Sequence, residues 1–145
     1  MALIGLVHGP NLNLLGQREV DIYGTTTEAD LIALVEKTAA VDGHTVEFFQ
    51  SNHEGALVDW VHAARGRVDA LIVNGGALSH YGWSLHDALA TFEGPIVEVH
   101  LSNTCKREPW RHTSVLTPVS KGTVTGLGPH GYELATQAIA RLLNS

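Results

Sequence analysis

Two groups of polar residues in this sequence have the types and spacing to move protons. The first lies in the segment from His8 to Gly24, which sets Asn11, Asn13, Arg18 and Tyr23 on one polar stretch. A tyrosine serves as a general base only when its phenolate is favoured near neutral pH, and a neighbouring guanidinium favours it. Arg18 lies five residues before Tyr23, and Arg107 is a second candidate if the fold brings it close. Asn11 and Asn13 each offer a donor and an acceptor, enough to orient a water or a substrate oxygen. The plainer reading of Tyr23 is a loop anchor whose ring packs over the core.

The second group is Glu98-Val99-His100-Leu101-Ser102-Asn103. Period-two alternation along a strand points Glu98 and His100 to the same side of a sheet. A carboxylate beside an imidazole fixes the ring tautomer and raises its affinity for a proton, which prepares a general acid. The alternative is a satisfied core histidine, but an idle buried carboxylate is expensive. Ser102 and the backbone amides around it suit a small anion such as a carboxylate. Asn74 and His80, on a glycine turn, can bind hydroxyl groups, with Asp87 further on. Arg107 and Arg111 suit an anionic substrate.

Other chemistries find little support. The single cysteine, Cys105, excludes a disulfide framework and a cysteine zinc site. Nine histidines invite a metal, yet no pair has the spacing of H-E-x-x-H, so no metal and no cofactor are expected. Neither G-x-G-x-x-G after the first strand, nor a P-loop, nor G-x-S-x-G occurs. A net charge of −6 without a basic stripe argues against nucleic acid. No apolar run approaches the ~20 residues of a membrane span, and no charged-then-apolar leader opens the chain. A cytoplasmic protein of one domain over residues 1–145 is expected.

The elements that must position these groups alternate strand with helix, the pattern of βαβ units around a parallel sheet. Strands are expected at 2–8, 45–50, 68–74, 95–101 and 119–125. Residues 9–26 form a long connection, a length usually reserved for function. A helix begins at a capping box of Thr27 and Asp30 and carries Leu31, Leu34, Val35 and Thr38. A second capping box, Ser51 and Glu54, opens a helix carrying Leu57, Val58, Val61 and Ala64. Helices over 83–92 and 131–144 complete the set, the last with a stripe of Leu134, Ala138, Ile139 and Leu142. Five strands and interleaved helices predict a flavodoxin-like doubly wound three-layer α/β sandwich with a five-stranded parallel sheet. Ligands of such folds sit at the carboxyl ends of the strands, where most of the polar residues above gather.

Taken in order, these segments resemble the type II 3-dehydroquinate dehydratase family. The run Gly9 to Gly24 matches its G-P-N-L-N-x-L-G-x-R-E-x-x-x-Y-G, Gln50 to Gly55 its Q-S-N-H-E-G, and Glu98 to Asn103 its E-V-H-x-S-N. Arg107 to Arg111 matches R-E-x-x-R, and Gly126 to Tyr132 matches G-L-G-x-x-G-Y. The resemblance implies a hydro-lyase that removes water from 3-dehydroquinate by anti elimination through an enolate. It implies Tyr23 as phenolate base, with Arg18 and Arg107 lowering its pKa, and Asn11 placing a water on the enolate oxygen. His100, held by Glu98, is then the acid. Asn74, His80 and Arg111 bind hydroxyls, Leu101 and Ser102 receive the carboxylate through backbone amides, and Asp87 reaches a neighbouring subunit. A homo-oligomer of trimers assembled into a dodecamer is implied, with residues 17–25 as a lid.

The sequence departs from the family at Tyr81, Gly82 and Trp83 after Ser79-His80, at His86 where arginine is common, and at Cys105 and Thr113. Tyr81 and Trp83 read either as subunit contacts or as a reshaped pocket. Two other functions share the motifs: a paralogue acting on a related cyclic hydroxy-ketone acid, and a silent homologue kept as a scaffold.

Overall fold

The apolar run Leu3–His8 forms β1, buried from Ile4 onward. It lies at the centre of the sheet with β3 (Ala70–Asn74) and β4 (Ile96–His100), both buried along their whole length, as strands covered on two faces must be. β2 (Thr45–Gln50) and β5 (Gly122–Thr125) form the more exposed edges. All neighbours are parallel, in the order β2-β1-β3-β4-β5. This is the flavodoxin-like α/β sandwich expected. The computed structural model describes residues 1–144; Ser145, the last residue of the expected domain, lies outside the described residues.

One layer of helices is α2 (Glu28–Ala40) with α5 (His130–Leu143), packed on Ile4, Leu6, Ile72 and Val99. The other is α3 (Glu54–Ala64) with α4 (Trp83–Ala90), packed on Val7, Leu71, Val73 and Ile96. The connection after β1 is anchored: Leu12 and Leu15 are buried in the first layer, and the helical turn α1 (Val20–Tyr23) follows them. Among the described residues, no helix is long and apolar enough to cross a membrane.

The capping box of Thr27 and Asp30 forms as expected, with reciprocal bonds of 3.0 and 3.1 Å. The one at Ser51 and Glu54 does not. His53 is the N-cap of α3, Ser51 Oγ accepts from the His53 amide, and Glu54 accepts instead from the amide of Leu85. A tertiary tie between α3 and α4 has replaced the local one. The stripe on α5 is also rotated: Tyr132, Ala135, Thr136, Ile139 and Ala140 are buried, while Leu134, Ala138 and Leu142 are partly so. The Tyr132 hydroxyl, bonded beneath the sheet's carboxyl edge, sets that face. β5 starts later than expected because Thr117–Val119 turns as a 3-10 helix.

The chain reverses its winding between β1 and β3, and there the two strand ends nearly touch. The Gly9 amide donates to the Asn74 carbonyl at 2.8 Å, and a Cβ on Gly9 would stand 2.1 Å from the Gly75 carbonyl oxygen. No side chain fits at that position. The crevice outside such a reversal is where doubly wound sheets hold their ligands.

Candidate active site

A cleft of about 130 Å³ opens at the carboxyl ends of β1, β3 and β4. Of the residues singled out above, Asn11, Arg18, Tyr23, Asn74, His80, His100, Leu101, Ser102, Arg107 and Arg111 all line it. They come from four separate stretches of chain, which the sheet gathers by ending three strands at one edge.

Tyr23 stands on one wall, at the end of α1. Arg107 donates to its hydroxyl at 2.6 Å and to Ser102 Oγ at 3.3 Å. The Arg18 guanidinium lies over the tyrosine ring, 4.5 Å from its centre, and that of Arg107 at 5.1 Å. Tyr23 also packs on the core, so the anchoring role and the proximity to guanidinium are properties of the same side chain. Asn11 enters the cleft from a left-handed backbone (φ 69°) and is fixed through its backbone N–H, which donates to Asn52 Oδ1 at 3.0 Å. Asparagine tolerates that conformation better than most residues.

The other wall carries His100, whose Nε2 is 2.6 Å from Glu98 Oε2. Glu98 is fully buried. Ser114 donates to the same oxygen at 2.6 Å, and Thr117 donates to Oε1. Burial pushes the Glu98 carboxyl up, but the bond and charge of His100 and the two hydroxyls outweigh it and hold it below the usual carboxylate range. His80 lies beside His100, ring centres 6.2 Å apart, and is met edge-on by Trp110. Its Nδ1 is bonded to the Thr113 carbonyl at 2.9 Å. Burial lowers the His80 pKa, the Thr113 bond opposes it, and the charges of His100 and Arg111 lower it further.

The class II dehydroquinase family model matches residues 2–140. The chain belongs to the class II dehydroquinase family. It is 52% identical to a 3-dehydroquinate dehydratase of Roseiflexus castenholzii, over 91% of this chain and 84% of that protein. It is 49% identical to a catabolic 3-dehydroquinase of Aspergillus oryzae, over 93% and 88%. The crystal structure of a type II dehydroquinase from Propionibacterium acnes superposes with a TM-score of 0.92 at 41% identity, covering 97% of both chains.

Several positions of this dehydroquinase-family chain are better understood from the structure. Asp87 stands away from its own cleft, exposed on α4 and paired with His86 at 3.0 Å. Tyr81 and Trp83 are exposed and do not line the cleft of their own chain. Thr113 acts through its carbonyl on His80, which its side-chain type does not alter. Cys105 is exposed. Among the described residues, no three His, Cys, Asp or Glu side chains are grouped to hold a metal ion.

Sequence reasoning missed Ser114 and Thr117, the hydroxyls on Glu98, because they sit in an irregular stretch without periodicity. It also missed the partners of Asn74. The Asn74 amide donates to the Tyr132 hydroxyl at 2.9 Å, and its oxygen accepts from the Gly76 amide at 3.1 Å. Tyr132 falls within the Gly126–Tyr132 motif, which was the available signal.

Proposed function

We propose that this chain is a type II 3-dehydroquinate dehydratase that removes water through an enolate, with Tyr23 as base and His100 as acid. The observation that carries the reading is the pair of oppositely prepared groups on two walls of one cleft. Tyr23 is faced by Arg107 and Arg18, and His100 is bonded to the buried Glu98. An elimination next to a ketone needs both: a base for the acidified proton and an acid for a hydroxyl that leaves poorly as hydroxide.

In the first step the Tyr23 phenolate takes the proton adjacent to the ketone, and the electron pair moves onto the carbonyl oxygen. Asn11 orients a water that stabilises this enolate. In the second step the enolate collapses, the carbon–oxygen bond to the leaving hydroxyl breaks, and His100 supplies the proton that makes it water. Glu98 occupies Nε2, which leaves Nδ1 to face the substrate, and it stabilises the imidazolium. Tyr23 ends protonated and His100 neutral, and both reset through solvent. Asn74, His80 and Arg111 bind the ring hydroxyls. The carboxylate is received at Leu101 and Ser102, beside Arg107. Names of the relatives at 52% and 49% identity support the substrate.

The family resemblance also leads us to a dodecamer of trimers, with Asp87 completing a neighbour's site. The exposed aromatics Tyr81 and Trp83, shortly before Asp87 in the chain, support a subunit contact there. Native mass measurement tests the assembly.

The reaction is tested by the absorbance of the conjugated enone formed from 3-dehydroquinate, for the wild type and Tyr23→Phe. Turnover abolished by the substitution is expected. Equal turnover by both proteins would remove Tyr23 as base, and none by correctly assembled wild type would remove the assignment.

A further inference from the structure

Beneath the cleft lies a largely buried set of polar groups, of which the elimination uses only Asn74. His8, the last residue of β1, is fully buried, as is Tyr132 on α5. His8 Nδ1 is 2.8 Å from Glu28 Oε2 at the start of α2, and its Nε2 is 2.9 Å from the Tyr132 hydroxyl. That hydroxyl is in turn 2.9 Å from Asn74 Nδ2. Four side chains from four elements thus connect the first turn of α2 to the floor of the cleft.

The proton positions along this chain follow from its last member. The Gly76 backbone N–H can only donate, so the Asn74 atom it meets is the oxygen Oδ1. The amide nitrogen therefore faces Tyr132 and donates to it. Having accepted there, the phenol places its single proton on His8 Nε2, which must be bare. The imidazole then carries its proton on Nδ1 and donates it to the Glu28 carboxylate. Every donor meets an acceptor, and each bond polarises the next. Turning the Asn74 amide over would set its NH₂ against the Gly76 N–H, two donors face to face, and reversing the His8 bond would leave the Tyr132 proton without an acceptor. Burial, opposed by the bond to Glu28, holds the His8 pKa down and favours the neutral ring this order requires. Burial likewise pushes the Tyr132 hydroxyl up and keeps it protonated.

We infer that Glu28, His8 and Tyr132 are positioning residues that lock the orientation of the Asn74 amide, and so decide how the cleft presents a donor and an acceptor to a substrate hydroxyl. The inference rests on the proposed function for the substrate, but its central claim is a tautomer and is testable without turnover. In ¹⁵N-labelled protein at neutral pH, correlation of the ring nitrogens with the ring protons, assigned with His8→Asn, should show His8 protonated at Nδ1 alone. A ring protonated at Nε2, or at both nitrogens, overturns the proposal whatever the activity.

Kinetics separates positioning from general stability. Tyr132→Phe and Glu28→Ala should each raise KM about tenfold, the worth of roughly one hydrogen bond, with a smaller change in kcat. Each should have almost no further effect in an Asn74→Ala background. Glu28→Gln, which keeps an oxygen for the Nδ1 proton, should return KM to near the wild-type value. Effects that persist undiminished without Asn74, or no rescue by Glu28→Gln, refute the proposal. Should Tyr132→Phe fail to fold, the Glu28 variants complete the cycle. Absence of any 3-dehydroquinate turnover would remove the substrate assignment, while the tautomer result would still decide the hydrogen-bond order.

Discussion

Replacing Glu98 by glutamine tests whether its charge, rather than its shape, prepares His100. The carboxylate is fully buried and accepts three bonds, two on Oε2 from His100 and Ser114 and one on Oε1 from Thr117. A glutamine oriented with its oxygen in place of Oε2 keeps the first two. Its NH₂ then faces Thr117, whose hydroxyl can rotate to accept. The packing survives and the negative charge does not. The bond to His100 stays but loses its charge assistance, a difference of about 1–1.5 kcal/mol between charged and neutral hydrogen bonds, where His100 carries the proton it is about to deliver. The expected result is a fall in kcat/KM of about 5- to 13-fold, with a urea midpoint close to that of the wild type at neutral pH. Glu98→Ala is the contrasting variant, since it strands three donors in the interior and should destabilise the fold by about 3–5 kcal/mol. Both are measured by enone absorbance and by urea unfolding of the same preparations. Wild-type kcat/KM in a natively stable Glu98→Gln would refute the idea that the carboxylate prepares His100.

Arg107→Ala removes the 2.6 Å bond to the Tyr23 hydroxyl; kcat should fall about 100-fold, and an unchanged kcat in steady-state assay would count against a phenolate at Tyr23. Acid should destabilise the fold in two stages. His8 is held down from 6.5 by burial against the bond to Glu28, and Glu98 is held below 4.5 despite burial by His100 and the hydroxyls. In each case the unfolded chain binds more protons, so stability is lost as pH falls, beginning below 6.5 through His8 and below 4.5 through Glu98. The slope approaches about 1.4 kcal/mol per pH unit for each proton. Urea midpoints across this range check it: His8→Asn should make the upper stage shallower, with His80 supplying the remainder, and should leave the lower stage alone, while a flat wild-type profile would contradict the burial argument. Gly9→Ala would force a methyl to 2.1 Å from the Gly75 carbonyl; a loss of about 2 kcal/mol or more, with KM raised because Asn74 is displaced, is expected from unfolding and kinetic measurements.

What the sequence determined by itself was what local spacing carries without a distant competitor. The apolar runs at β1, β3 and β4, the capping box at Thr27, and the two-residue interval of Glu98 and His100 are properties of consecutive residues, so periodicity and side-chain chemistry suffice to read them. Where a local signal competed with a distant partner, the partner won. Glu54 gave up its cap to bind the amide of Leu85, 31 positions away, and α5 turned to bury Tyr132 rather than its leucines. The candidate site divides the same way. Arg18 stands near Tyr23 along the chain, but Arg107 arrives from 84 positions away and Tyr132 meets His8 across 124. Such pairings depend on strand order and on the reversal between β1 and β3. Those follow from how the helical layers close over both faces of the sheet, and only the folded chain supplies that information.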